Sequence, residues 1–163
     1  MASIMSTQQT TPDRQFHLSI LSFNGTEILL AKSEIYSVGT DYVFEKNSAT
    51  DKHIGYISGT AKSAGKKINV YGFSSTLELL RSCPVEKPQC IIVRHARGEI
   101  AILCQSTEEI ILNNAHTQTV PECMHSTNMP ITHLSLYQDT QNEQKIAMIT
   151  NADTLFNYIL NYV

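Results

Sequence analysis

The chain has 163 residues, 42% apolar and 17% charged, which is long enough for one ordinary domain and too apolar for wholesale disorder. A formal charge of −3 at pH 7 gives no basic footprint for nucleic acid, and without a run of about 18 apolar residues no membrane insertion is expected. The opening MASIMSTQQTTPDRQ has neither a basic n-region nor an apolar h-region, which reads against secretion and points to the cytoplasm.

Met1 to Asp13 is rich in Ser, Thr and Gln, with little to bury, and reads as a disordered tail ahead of a single domain over 14–163. FHLSILSF and TEILLAKS then flank Asn24-Gly25, the strongest short-range hairpin signal. EIYSVGTDYVFEK continues as strand, with Ile35, Val38, Val43 and Phe44 as expected core residues. A polar loop (47–53), a short strand GYIS, the loop TAKSAGKK and the strand INVYGF follow. Ser75 and Glu78 fit a capping box, so a short helix is expected there. Its apolar side would be Leu77, Leu79 and Leu80, and Pro84 and Pro88 would end it.

The second half repeats this order. CIIVRHARGEIAILCQS reads as strand, turn, strand, EEIILN as a strand, and a polar loop with Pro121 and Pro130 follows. ITHLSLYQD and KIAMIT are strands around the turn TQNEQ, and Asp153 is the expected N-cap of a last helix, TLFNYILNYV. Many short strands at this spacing make a barrel or sandwich.

The halves also align. At an offset of 73, Gly25 meets Gly98, ILLAKS meets AILCQS and Val38 meets Ile111; at 78, KINVYGFSSTL meets KIAMITNADTL. Two matches in the same order, with loop-sized drift between them, indicate a duplication. Each half is small for a self-sufficient core, so two barrels packed on one another, with a seam between them, are expected over roughly 16–85 and 86–155.

Catalytic patterns are missing from the sequence: it has no G-x-S-x-G, H-E-x-x-H, Walker A or G-x-G-x-x-G. Cys123 and His125 beside Glu122 offer at most part of a metal site, because zinc wants about four ligands and no second pair has suitable spacing. Cys104, inside IAILC, reads as a small buried hydrophobe. Cys83 and Cys90 flank the Pro-containing connection within SCPVEKPQC, and a reducing compartment disfavours their pairing. Glu108 and Glu109 are adjacent and on a strand point to opposite faces. Gly65-Lys66-Lys67 is a small basic cluster and His95-Ala96-Arg97-Gly98 a turn. The chemistry expected is therefore non-enzymatic, with no cofactor and no metal.

Four segments carry a resemblance to a known family: FHLSILSFNGTEILLAKSEIYSV, HIGYISGTAKSAGKKINVYGFS, CIIVRHARGEIAILCQSTEEIIL and THLSLYQDTQNEQKIAMITNADTL. In order and content they resemble the CheW-like domain, the adaptor of bacterial chemosensory arrays, over about residues 16–160. The resemblance implies a mainly β fold of two small five-stranded SH3-like barrels packed together, with short helices including a C-terminal one. It implies an adaptor between a methyl-accepting chemoreceptor and a CheA-like histidine kinase. One barrel would dock on the kinase's barrel-like regulatory domain, and the groove between barrels would take the receptor's hairpin tip. By position, the implied contact residues are Val38, Tyr42, Tyr56, Ala64 and Lys66.

The chain departs from the family pattern at polar positions. Ala64 stands where an arginine precedes the turn glycine, Asn69 and Gly72 replace proline and aspartate, and AILCQ replaces a GLLVD-type run. Ser37 stands where a glutamate is common, while the apolar positions Ile35, Val38, Ile68, Val70, Ile102 and Leu103 are kept. That pattern resembles a divergent adaptor of the kind found in type IV pilus twitching systems. The alternatives are a ligand-binding or regulatory module on the same scaffold, marked by a buried pocket of roughly 300 Å³ or more in the seam, and a small metal-dependent enzyme using Cys123 and His125.

Overall fold

The structure, a computed structural model, describes residues 14–161 apart from 24, 40–41, 48–51, 59–65, 87, 114–116 and 122–128. Twelve strands run in chain order: β1 (Gln15–Phe23), β2 (Thr26–Ala31), β3 (Ile35–Gly39), β4 (Val43–Lys46), β5 (Gly55–Ser58) and β6 (Ile68–Tyr71) come first. The second half supplies β7 (Gln89–His95), β8 (Gly98–Cys104), β9 (Ser106–Asn113), β10 (Thr117–Thr119), β11 (His133–Gln138) and β12 (Gln144–Ile149). A 3-10 turn at Lys32–Glu34 and one α-helix, α1 (Ala152–Asn161), complete the described elements. The tail, Asn24, Ala64, Cys123 and His125 lie outside the described residues.

Two six-stranded sheets form, ordered β10-β11-β12-β2-β1-β9 and β3-β7-β8-β6-β5-β4. In each, the two outermost strands are neighbours in the chain (β9 and β10, β3 and β4), so each sheet must curl into a half-barrel. The expected pair of SH3-like barrels is thus found, as curled six-stranded sheets. The orders also reveal an exchange: each sheet takes the first hairpin of one half and four strands of the other. Limits at 16–85 and 86–155 therefore enclose no complete sheet.

The duplication shows in this symmetry, but the register departs from the alignment read in the sequence. Ile28 on β2 and Ile100 on β8 both face the shared core, as do Leu30 and Ile102, while Leu29 and Ala101 turn into their respective half-barrels. Equivalent positions are thus 72 apart, not 73, and a one-residue slip exchanges every face of a strand. The parallel pairs agree: Val70 lies opposite Ala101 and Ile149 opposite Leu29, an offset of 79 rather than 78. Glycine caused the error. Gly25 (φ +79) belongs to the β1–β2 turn, whereas Gly98 (φ +134) is the first residue of β8.

Three clusters of buried side chains follow from these faces. Leu18, Ile20, Leu29, Leu112, Tyr137 and Ala147 fill the first half-barrel, and Ile57, Ile68, Val70, Cys90, Ile92 and Leu103 fill the second. The largest joins them: Leu21, Phe23, Ile28 and Leu30 from one sheet meet Ile91, Val93 and Ile102 from the other, with Phe73 of the segment after β6 and Leu155, Phe156 and Ile159 of α1. Strands β7 and β8 are buried on both faces, which is why CIIV and IAILC are unbroken apolar runs. Ile35 and Phe44 pack against cores as expected, but Val38 and Val43 are 47% and 62% exposed. The strand was identified in the sequence, but not its outer position in the sheet.

Two local expectations are corrected. Residues 75–80 form a hook instead of a helix: Leu77 takes φ +64, Phe73 bridges Leu79, and Leu80 N–H donates to the Gly72 carbonyl at 2.8 Å. The capping oxygen is that of Ser74, which accepts from the N–H of Glu78 at 3.1 Å and of Thr76 at 3.3 Å. That arrangement points Leu77 and Leu79 into the shared core, a burial that one turn of exposed helix would not provide. At α1, Asn151 is the N-cap, its Oδ1 accepting from Thr154 N–H at 2.7 Å. Asp153 sits in the first turn, where its carboxylate suits the helix dipole and meets His95 Nε2 at 3.1 Å and Arg97 at 3.3 Å. The His95 ring stacks on Phe156 at 4.8 Å, so the β7–β8 turn is strapped onto the helix.

Candidate docking surfaces

The implied contact residues divide between surface and support. Val38 projects from β3, at one margin of the second sheet, opposite Ile91 and just past a bulge between Ile35 and Ser37. Tyr42 is held: its ring packs against the second half-barrel's core, and its hydroxyl donates to the Pro88 carbonyl at 2.7 Å. Burial, with the Cys90 thiol hydrogen-bonded beside it, raises the Tyr42 phenol far above its ordinary pKa. Tyr42 thus pins the β3–β4 connection to the approach to β7.

Tyr56 and Lys66 belong to a second patch on β4–β6. Tyr56 lies between Glu45 and Asn69 in register, meets the His53 ring edge-on at 4.6 Å and is overlain by Lys67 Nζ at 5.6 Å from its centroid. Lys67 also pairs with Glu45 at 3.3 Å, and Asn47 Nδ2 contacts His53 Nε2 at 2.7 Å. Lys66 is exposed beside them. The face is aromatic and cationic, suited to an acidic or carbonyl-rich partner surface. Along the sheet, β7, β8 and β6 separate Val38 from this patch, but the curl of the sheet and the short step from Gly39 to Val43 bring β3 back toward β4.

The sequence reading missed a cleft at the seam. It has a volume of about 290 Å³ and is lined by Phe23, Phe73, Leu103, Cys104 and the exposed pair Pro84 and Val85, with Gln89 and Gln105. Phe23 comes from one sheet and Leu103 from the other; the Gln105 N–H donates to the Ser22 carbonyl at 2.7 Å and closes one end. Phe73 is tilted against Phe23 at 6.0 Å and Tyr158 at 6.1 Å. The only sequence signal was the duplication itself, which placed a seam between barrels without saying which side chains open onto it.

Cys83, Cys90 and Cys104 are free thiols. Among the described residues no three His, Cys, Asp or Glu side chains converge as a metal site would require, and no helix is long and apolar enough to cross a membrane.

No protein-family model and no curated protein matches the chain. Among solved structures it is similar to the scaffolding protein TtCheW from Thermoanaerobacter tengcongensis, with a TM-score of 0.61 at 15% identity, covering 83% of this chain and 88% of that one. The chain has a CheW-like fold.

Proposed function

We propose that the protein is a non-catalytic adaptor that couples a chemoreceptor to a CheA-like histidine kinase, in a chemosensory or type IV pilus twitching pathway of the cytoplasm. The observation that supports this most is the pair of half-barrels locked by one shared core, in the fold of a protein described as a scaffold. Such a body holds its outer faces rigidly and so presents docking surfaces at low ordering cost.

In this reading the seam cleft at Phe23, Phe73 and Val85 takes the receptor's hairpin tip, and the second half-barrel, with Val38, Tyr56 and Lys66, docks on the kinase; Tyr42 supports it, and Ala64, outside the described residues, is kept as a contact from its place in the sequence. The test is binding of a purified receptor tip and a purified kinase regulatory domain to two exposed-site variants. Val85→Lys is expected to weaken the receptor tip at least tenfold and leave the kinase domain unchanged, with the reverse for Val38→Lys. No binding of either partner to the unaltered chain would end the proposal. The cleft, near the lower limit of ligand pockets, also keeps the second reading in view: saturable binding of a small apolar molecule there, without either protein partner, would favour it.

A further inference from the structure

Strand β9 ends the first sheet. Its eight residues pair with β1 in unbroken register, from Asn113 opposite Gln15 to Ser106 opposite Ser22, and no strand lies on its other side among the described residues. The corresponding outer strand of the second sheet, β3, has five residues and a bulge. Proteins usually shorten, bulge or cover an edge, because its unpaired N–H and C=O groups accept any strand that arrives. β3 is blunted in this way and β9 is left long and regular.

Two contiguous hollows of about 480 and about 330 Å³ run along β9 and share Ile110, Tyr137 and Gln138. The larger carries Ile111 and Leu136, 55% and 47% exposed. The smaller is ringed by Glu27, Glu108, Glu109, Asp139 and Glu143. Lys145 reaches Asp139 at 3.2 Å and Glu27 at 3.9 Å, and Lys32 reaches Glu109 at 2.7 Å. Five carboxylates thus face two ammonium groups, beside an apolar shelf and a strand edge.

We infer that the outer edge of β9 takes an extended segment of a partner protein in which lysine or arginine alternates with branched apolar residues. Main-chain hydrogen bonds to β9 supply the affinity, as in other strand-addition complexes; Ile111 and Leu136 receive the apolar side chains, and the carboxylates select the basic ones. The chain itself offers no such segment nearby: residues 1–13 contain no lysine or arginine, and neither IYSVG of β3 nor STEEIILN of β9 has one. This site is independent of the receptor and kinase surfaces above.

The probe is a fluorescein-labelled octapeptide alternating valine and lysine, titrated by anisotropy against the full chain. Its controls are a valine–glutamate octapeptide and the valine–lysine peptide with alternate backbone amides methylated. Saturable binding is expected only for the unmethylated basic peptide, at least tenfold weaker with Glu108→Lys/Glu109→Lys and with Ile111→Lys, all exposed substitutions. Slowed amide exchange at 106–113 of the unaltered chain on binding provides a readout that needs no variant. Equal binding of the methylated peptide would overturn strand addition, and full binding by the charge-reversed variant would overturn the selection. Binding that appears only after deletion of residues 1–13 would mean the chain's own segment occupies the edge. A dimer in sedimentation that the charge reversal abolishes would mean a second copy does.

Discussion

Cys90 and Cys104 show how far burial alone sets chemistry here. They are 1% and 2% exposed, and burial pushes their thiols up to about 11 and about 12 from the ordinary 9.0. The unfolded chain therefore loses these protons first as pH rises. Neither thiol's ionisation affects stability below pH 9, and between 9 and their folded values each lowers stability progressively as pH rises. Melting temperature is expected to fall steeply from pH 9 to 11 in the unaltered chain and less steeply in Cys104→Ala; equal slopes would show that other groups carry the effect. Asp139 works in the opposite sense: N–H donors from Glu143 and Gln141, together with Lys145, hold its carboxyl below the usual range. Its support of the 139–143 turn is present above pH 4 and lost as the solution becomes more acidic, which amide exchange at Gln141 and Glu143 will follow. The burial of Cys104 could be read from IAILC, since an unbroken apolar run belongs to a strand covered on both faces. The exposure of Val38 could not, because a strand reads the same at the middle of a sheet as at its margin.

The elements divide by how local their causes are. Except for β10, which falls in a stretch that reads as polar loop, the strands were legible because apolar runs bounded by Gly, Asn and Pro leave few other options, and α1 was legible from a capping residue ahead of an apolar stretch. The hook at 73–80 was not: Ser75-x-x-Glu78 satisfies the helix-start pattern, yet Leu77 enters a core whose other members, apart from Tyr71, Phe73 and Leu79, lie more than ten positions away, and that burial overrides the local preference. Two substitutions test the capping assignments. Asn151→Ala is expected to cost about 1 kcal/mol, as loss of an N-cap does, whereas Asp153→Asn should cost less, because Asp153 contributes charge without capping. Ser74→Ala removes the acceptor for two N–H groups and should cost about 1 kcal/mol. Urea midpoints for the three variants will check the order; a larger loss from Asp153→Asn than from Asn151→Ala would reverse the assignment. The glycine alignment failed for an equally physical reason: glycine marks a positive φ without saying whether it sits in the turn or begins the next strand.

At the scale of the whole molecule the exchange of hairpins matters most, and the duplication revealed only its order. Each sheet needs strands from both halves, so fragments 14–85 and 86–163 are expected to stay unfolded alone and to recover native circular dichroism when mixed. Independent folding of either would contradict the topology. Phe73, 1% exposed at the centre of the shared core, should cost about 3–5 kcal/mol when cut to alanine and should destabilise both lobes in one transition. The seam cleft was outside the reach of sequence reading because its walls come from four separated segments. The proposed function requires this fused body to carry two docking surfaces at once. The most direct measurement is sedimentation velocity of the chain with a CheA-like regulatory domain and a chemoreceptor tip together: it should show one complex holding all three, whereas partners that displace one another, or fail to bind, would contradict the claim.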